Sequence, residues 1–223
     1  EPQSIVLEAP HSVATSTNTG SGFSFHHTSA ASPKKYFPET MGGGGGFIDV
    51  NNDGWLDIYA INGAWIFQSN TVNEEPTNAL YMQSSPNRFT EQAEQFGINH
   101  HGVGMGLGVG DMDNDGDQDI YVTNFGPNVL YRNDGKEFTD ISLQTGTDNT
   151  KWGTSCAWGD YDRDGDLDLY IANYVVYDAT THNADFVPYI APNDGHADAA
   201  TLGYPHPANF HAAPDLLYQN DGN

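Results

Sequence analysis

Five carboxylates alternate along one short stretch, GDMDNDGDQDIYVTN: Asp111, Asp113, Asp115, Asp117 and Asp119. At that spacing they repel one another unless a cation sits among them. Side chains at alternate positions of a tight loop converge on one point, and Ca²⁺ accepts six to eight oxygens there at about 2.3–2.6 Å. Asp111, Asp113, Asp115 and Asp119 are the candidate side-chain ligands, with the backbone carbonyl of Asp117 as a fifth. Gly116 permits the sharp turn that a Cβ would resist. The set recurs as Asp160, Asp162, Asp164, Asp168 and the carbonyl of Asp166, and again as Asp49, Asn51, Asp53, Asp57 and the carbonyl of Trp55.

Asp, Asn and Gly also form turns without any metal, and a single such loop would be ambiguous. Three copies in one register, each with an acid at the ninth position, favour metal, with one Ca²⁺ expected per loop. An EF-hand would need Glu at the twelfth position, on a helix, whereas Ala60, Val122 and Ile171 stand there. Each loop runs into DIYAIN, DIYVTN or DLYIAN, β-branched and alternating, which predicts strands. Mg²⁺ demands stricter octahedral geometry, and Zn²⁺ prefers nitrogen and sulfur.

The elements that must hold these loops repeat with them. Upstream of each lies a small-residue run, MGGGGGF, GMGLGVG or GTSCAWG; downstream come NALY, NVLY and DLLY, and then RFTEQ and EFTDI in the first two copies. Each unit therefore predicts a four-stranded antiparallel meander. The expected organisation is an extended Ser/Thr-rich arm with a lead-in strand over 1–40, then repeats at about 41–98, 102–147 and 152–223. The last repeat carries an insertion at 174–214, rich in Pro, His, Ala and Asn.

Thirty acidic against seven basic residues give a net charge of -23, which a compact state tolerates only with neutralising cations. Phosphate binding needs clustered Lys or Arg, so nucleic acid and anionic membranes are disfavoured as partners. The one cysteine, Cys156, excludes an intramolecular disulfide and reads as a small buried hydrophobe. No apolar run is long enough to span a membrane as a helix. The chain opens on Glu1 without a signal-like segment, which fits a mature or trimmed secreted product. The histidines, including His26, His27, His100, His101, His206 and His211, lie beside no Cys or carboxylate at ligand spacing and read as loop residues.

The repeated loop-and-strand unit resembles the FG-GAP or VCBS repeat of integrin α-subunit propellers and secreted bacterial proteins. More narrowly, KKYFPETMGGGGGFIDVNNDGWLDIYAING and DLLYQNDG resemble the cartilage acidic protein and ASPIC/UnbV family. The resemblance implies an all-β, propeller-type array of blades, each acidic loop holding Ca²⁺ between the first two strands of a blade. The family's cysteine pair is missing from YPHPANFHAAPDLLY. Three repeats make an incomplete or open propeller, whose free edges invite self-assembly, including filaments. The expectation is a secreted or cell-surface, non-catalytic calcium protein with a structural or adhesive role and an extracellular protein or glycan ligand. The alternative is a module of a secreted lyase or hydrolase with the 174–214 insertion as its substrate site.

Overall fold

Strands rich in Tyr, Ile, Val and Leu must pair their backbones, and the acidic loops between them set the pairing register. The computed structural model describes residues 20–28, 35–64, 66, 76–135, 137–181 and 204–222. In the first blade β1 (Gly45–Ile48), β2 (Asp57–Ala60), β3 (Ala79–Ser85) and β4 (Arg88–Glu91) pair in chain order, and a one-turn helix α1 (Ala93–Phe96) comes next. The second blade repeats this with β5 (Val103–Gly110), β6 (Asp119–Phe125), β7 (Val129–Asn133) and β8 (Phe138–Asp140), and then α2 (Ser142–Thr145). In the third, β9 (Gly153–Gly159), β10 (Asp168–Asn173) and β11 (Leu216–Tyr218) pair in the order β11-β10-β9. All pairings are antiparallel, and the three sheets do not close into a ring among the described residues.

One register rule governs every loop. The residue before the first Asp pairs with the ninth-position Asp: Ile48 with Asp57, Gly110 with Asp119, Gly159 with Asp168. A second latch joins the middle strands. The backbone N–H groups of Asn62, Asn124 and Asn173 donate to the side chains of Asn78, Asn128 and Asp215 at 2.8 Å each. The repeated Asn adds a side-chain bond of its own, the amides of Asn124 and Asn173 donating to the carbonyls of Pro127 and Pro214 at 2.9 and 2.8 Å.

Blades stack face to face. Ile48, Tyr59, Ile61 and Leu80 of the first meet Ile120, Val122, Tyr131 and Phe138 of the second. Tyr121, Leu130 and Ile141 on the other face of the second blade meet Leu169 and Ile171 of the third. At the end of the strands away from the loops, Tyr36, Phe37, Trp152, Val175 and Tyr177 form a third cluster, flanked by Phe125, Tyr174 and Phe210.

The expected lead-in strand before residue 41 is not formed in the described residues. Phe37–Thr40 is instead a 3-10 turn that plants Phe37 in this aromatic cluster, 5.4 Å from the rings of Trp152 and Phe210. Burial of that ring outweighs strand pairing here. Residues 1–19 and 29–34 of the expected arm, and 182–203 of the insertion, lie outside the described residues. The two described ends of the insertion meet at a Val175 to Ala212 bridge.

Candidate metal centres in the acidic loops

Each loop is folded by its own carboxylates. The first Asp accepts from the backbone N–H groups four and five residues on: Asp49 from Asp53 and Gly54, Asp111 from Asp115 and Gly116, Asp160 from Asp164 and Gly165, all at 2.9–3.2 Å. The fifth-position Asp accepts from the seventh-position N–H: Asp53 from Trp55, Asp115 from Asp117, Asp164 from Asp166. Gly54, Gly116 and Gly165 hold φ of +83°, +96° and +101°, conformations that a side chain resists.

The ninth-position Asp closes the loop. Asp57, Asp119 and Asp168 are at most 1 % exposed. One oxygen of each accepts from the residue after the first Asp, Val50, Met112 or Tyr161, at 2.7–3.0 Å. The other accepts from Gln83, Asn133 or Asn220 on the third strand or the turn after it, at 2.7–2.9 Å. Burial nevertheless pushes the Asp119 carboxyl up to about 7, reinforced by the charges of Asp113 and Asp115 and opposed by those two N–H groups. Asp57 is raised by burial too, and Asp113 by burial and by Asp115. A bare loop thus pays for its own charge, which a bound cation would relieve.

In the second loop the oxygens of Asp111, Asp113 and Asp115 lie within 4.8 Å of one another; in the third, those of Asp160, Asp162 and Asp168 do. Two oxygens at about 2.4 Å on opposite sides of one ion are about 4.8 Å apart, so both triads fit a calcium-sized ion. The triads differ: Asp119 is outside the first and Asp164 outside the second. The opening loop has Asn51 at its third position, and the Asn51 amide donates to Asp53 at 3.1 Å. No histidine joins either triad. His27 and His206 instead accept backbone N–H groups, from Gly43 at 2.9 Å and Ala208 at 3.1 Å. Burial depresses the basicity of His100. Cys156 is half-buried against the second blade, and burial pushes its thiol up to about 12.

Two sets of residues at this end are invisible to loop counting. Asn52 and Asn114, at the fourth loop position with φ of +54° and +58°, reach across to the next loop. Asn52 donates to the Gly116 carbonyl at 3.2 Å and the Asp117 carboxylate at 2.6 Å. Asn114 donates to the Gly165 carbonyl at 3.3 Å and Asp166 at 2.8 Å. So the Asp117 and Asp166 side chains bind the preceding loop. In the other direction, the NDG-turn residues Asn133 and Asn220 donate back to the carbonyls of Val50 and Met112 at 3.0 and 2.7 Å. The only sequence signal for these roles is the recurrence of Asn at two positions outside the ligand set.

Two four-stranded sheets and one three-stranded sheet, stacked with an acidic loop between the first two strands of each, define a β-repeat protein with candidate metal sites. The chain belongs to the FG-GAP-like repeat family, whose model matches residues 49–122 and 111–171. Comparison with curated proteins gives no match. Among the described residues no helix is long and apolar enough to cross a membrane.

Proposed function

We propose that this chain is a secreted or cell-surface calcium protein, related to the ASPIC/UnbV group, with a structural, adhesive or assembly-forming role rather than a catalytic one. Each loop binds one Ca²⁺ through the oxygens of its first, third, fifth and ninth residues and the seventh carbonyl. The observation that carries this reading is the recurrence, in all three loops, of the same backbone N–H bonds to the first and ninth carboxylates. In the second and third loops the oxygens already face one another before any ion arrives, which lowers the ordering cost of binding. With one cysteine in the chain and a net charge of -23, bound cations take the place of disulfides and offset the self-repulsion.

Calcium titration by calorimetry, with the metal content checked by mass spectrometry, tests the proposal. About three ions per chain are expected, one per acidic loop. Asp115→Asn should remove one of them and leave the others. Absence of binding at calcium concentrations in large excess over protein would overturn the reading.

A further inference from the structure

Every loop is closed from the third strand or the turn after it by a backbone N–H, that of Gln83, Asn133 or Asn220, which donates to the ninth-position carboxylate at 2.7–2.9 Å. The residue just before that donor therefore occupies one fixed place beside each loop. It is Met82 in the first blade, Arg132 in the second and Gln219 in the third. In the third blade the Gln219 amide donates to the carboxylate of Asp162, the third loop position, at 2.7 Å. In the second, Arg132 and Asp113, the third loop position there, line one cleft. Asp134 holds the Arg132 guanidinium bidentately at 3.0 and 3.1 Å. In the first, Met82 is 8 % exposed in the core between the first two blades, and the third loop position is the neutral Asn51.

The strand residue and the loop residue vary together. The neutral Asn51 stands by an apolar side chain, and each third-position Asp stands by a hydrogen-bond donor. The two donors differ in charge, and they serve loops with the same four carboxylates at the first, third, fifth and ninth positions. An amide leaves the charge of Asp162 in place, whereas a guanidinium brings a full positive charge that no accessible pH removes. Its field reaches the second loop: burial and Asp115 push the Asp113 carboxyl up, and Arg132 opposes them. Arg163, the cation within the third loop, stands at the fourth position, from which Asn52 and Asn114 reach away from their own loops to the following one.

We infer that Arg132 is the resident counter-charge of the second loop and sets its calcium affinity. It shares a cleft with Asp113 at the strand position from which Gln219 bonds Asp162, and an ion entering the loop meets its charge. The second loop therefore takes up calcium only at concentrations above those that its four carboxylates alone would require. This rests on the calcium reading and adds to it a residue that supplies no ligand.

Calorimetric calcium titration of the intact chain, at low and high ionic strength, tests it. Asp115→Asn identifies the second loop's step as the one that it abolishes. Arg132→Gln, which copies the third blade, should tighten that step by about three- to tenfold, the scale of one unit charge acting on a divalent ion across several ångströms of water. The gain should shrink as salt screens it. Arg132→Lys keeps the charge without the planar fork and should bind as the wild type does. In an arm independent of the second loop, Gln219→Arg should weaken the step that Asp164→Asn abolishes. A second-loop step that Arg132→Gln leaves within about twofold of wild type would overturn the inference. So would Arg132→Lys matching Arg132→Gln, because shape rather than charge would then set the affinity. In both cases calcium uptake at all three loops would leave the calcium reading standing, whereas a chain that takes up no calcium would overturn both.

Discussion

At one end of the blade stack three loops gather carboxylates, with Asp57, Asp119 and Asp168 buried beneath them. At the other end Phe37, Phe125, Trp152, Tyr174, Tyr177 and Phe210 interlock with ring centroids as close as 5.2 Å. The aromatic end gains from leaving water and needs no partner from solution. Removing water from the acidic end raises the cost of its charges, and the N–H groups that meet them offset only part of it. The same strands thus run from a self-sufficient end to one whose charges, on the proposed reading, the solvent's cations would offset.

The largest effect is expected at the aromatic end. Trp152→Ala should cost about 3–5 kcal/mol of unfolding free energy, and the loss should be similar with calcium and with chelator. Comparable chemical-denaturation curves in both conditions would check this; a loss that vanished on chelation would erase the contrast between the ends. Asp119→Asn should behave oppositely, with a penalty in calcium exceeding its penalty in chelator by about 2.7 kcal/mol at a hundredfold excess of calcium over Kd. Equal penalties would place Asp119 among purely structural carboxylates.

How much of this contrast is legible in the sequence differs between the two ends. The loops declare themselves because their chemistry is local: alternating oxygens, a turn glycine and the ninth-position Asp all lie within nine residues, and the same register returns three times. Strand order is implied by that repeat. The aromatic end is built by residues as far apart as Phe37 and Phe210, with no periodicity to mark them, so the stretch around Phe37 reads as an arm. The one-turn helices at Ala93–Phe96 and Ser142–Thr145 are too short to show a 3.6-residue pattern. The side chains of Asp117 and Asp166 carry no sequence-level assignment beyond their carbonyls because their partners belong to the neighbouring blade, whose rotation no single unit specifies.

Smaller changes sharpen the picture between the ends. Asn114→Ala, which removes the bonds to Gly165 and Asp166, should cost about 1 kcal/mol and reduce calcium affinity of the third loop only slightly. A loss of several kcal/mol would make the inter-loop ladder, rather than the ions, the main support of the acidic end. The smallest effect is expected at Cys156, whose thiol, raised to about 12, carries almost no thiolate at pH 8. Alkylation there should be slow in native protein and fast in denaturant; rapid native labelling would show that the second and third blades separate readily.

The most direct test is the thermal unfolding midpoint measured in calcium and again after thorough chelation. Loss of the ions should lower it by roughly 10 °C or more, given several kcal/mol of linked binding and a few degrees per kcal/mol for a domain of this size. Re-addition of calcium should restore the midpoint. A midpoint unchanged by complete chelation would contradict the account, because the acidic end would then hold its buried carboxylates together without a cation.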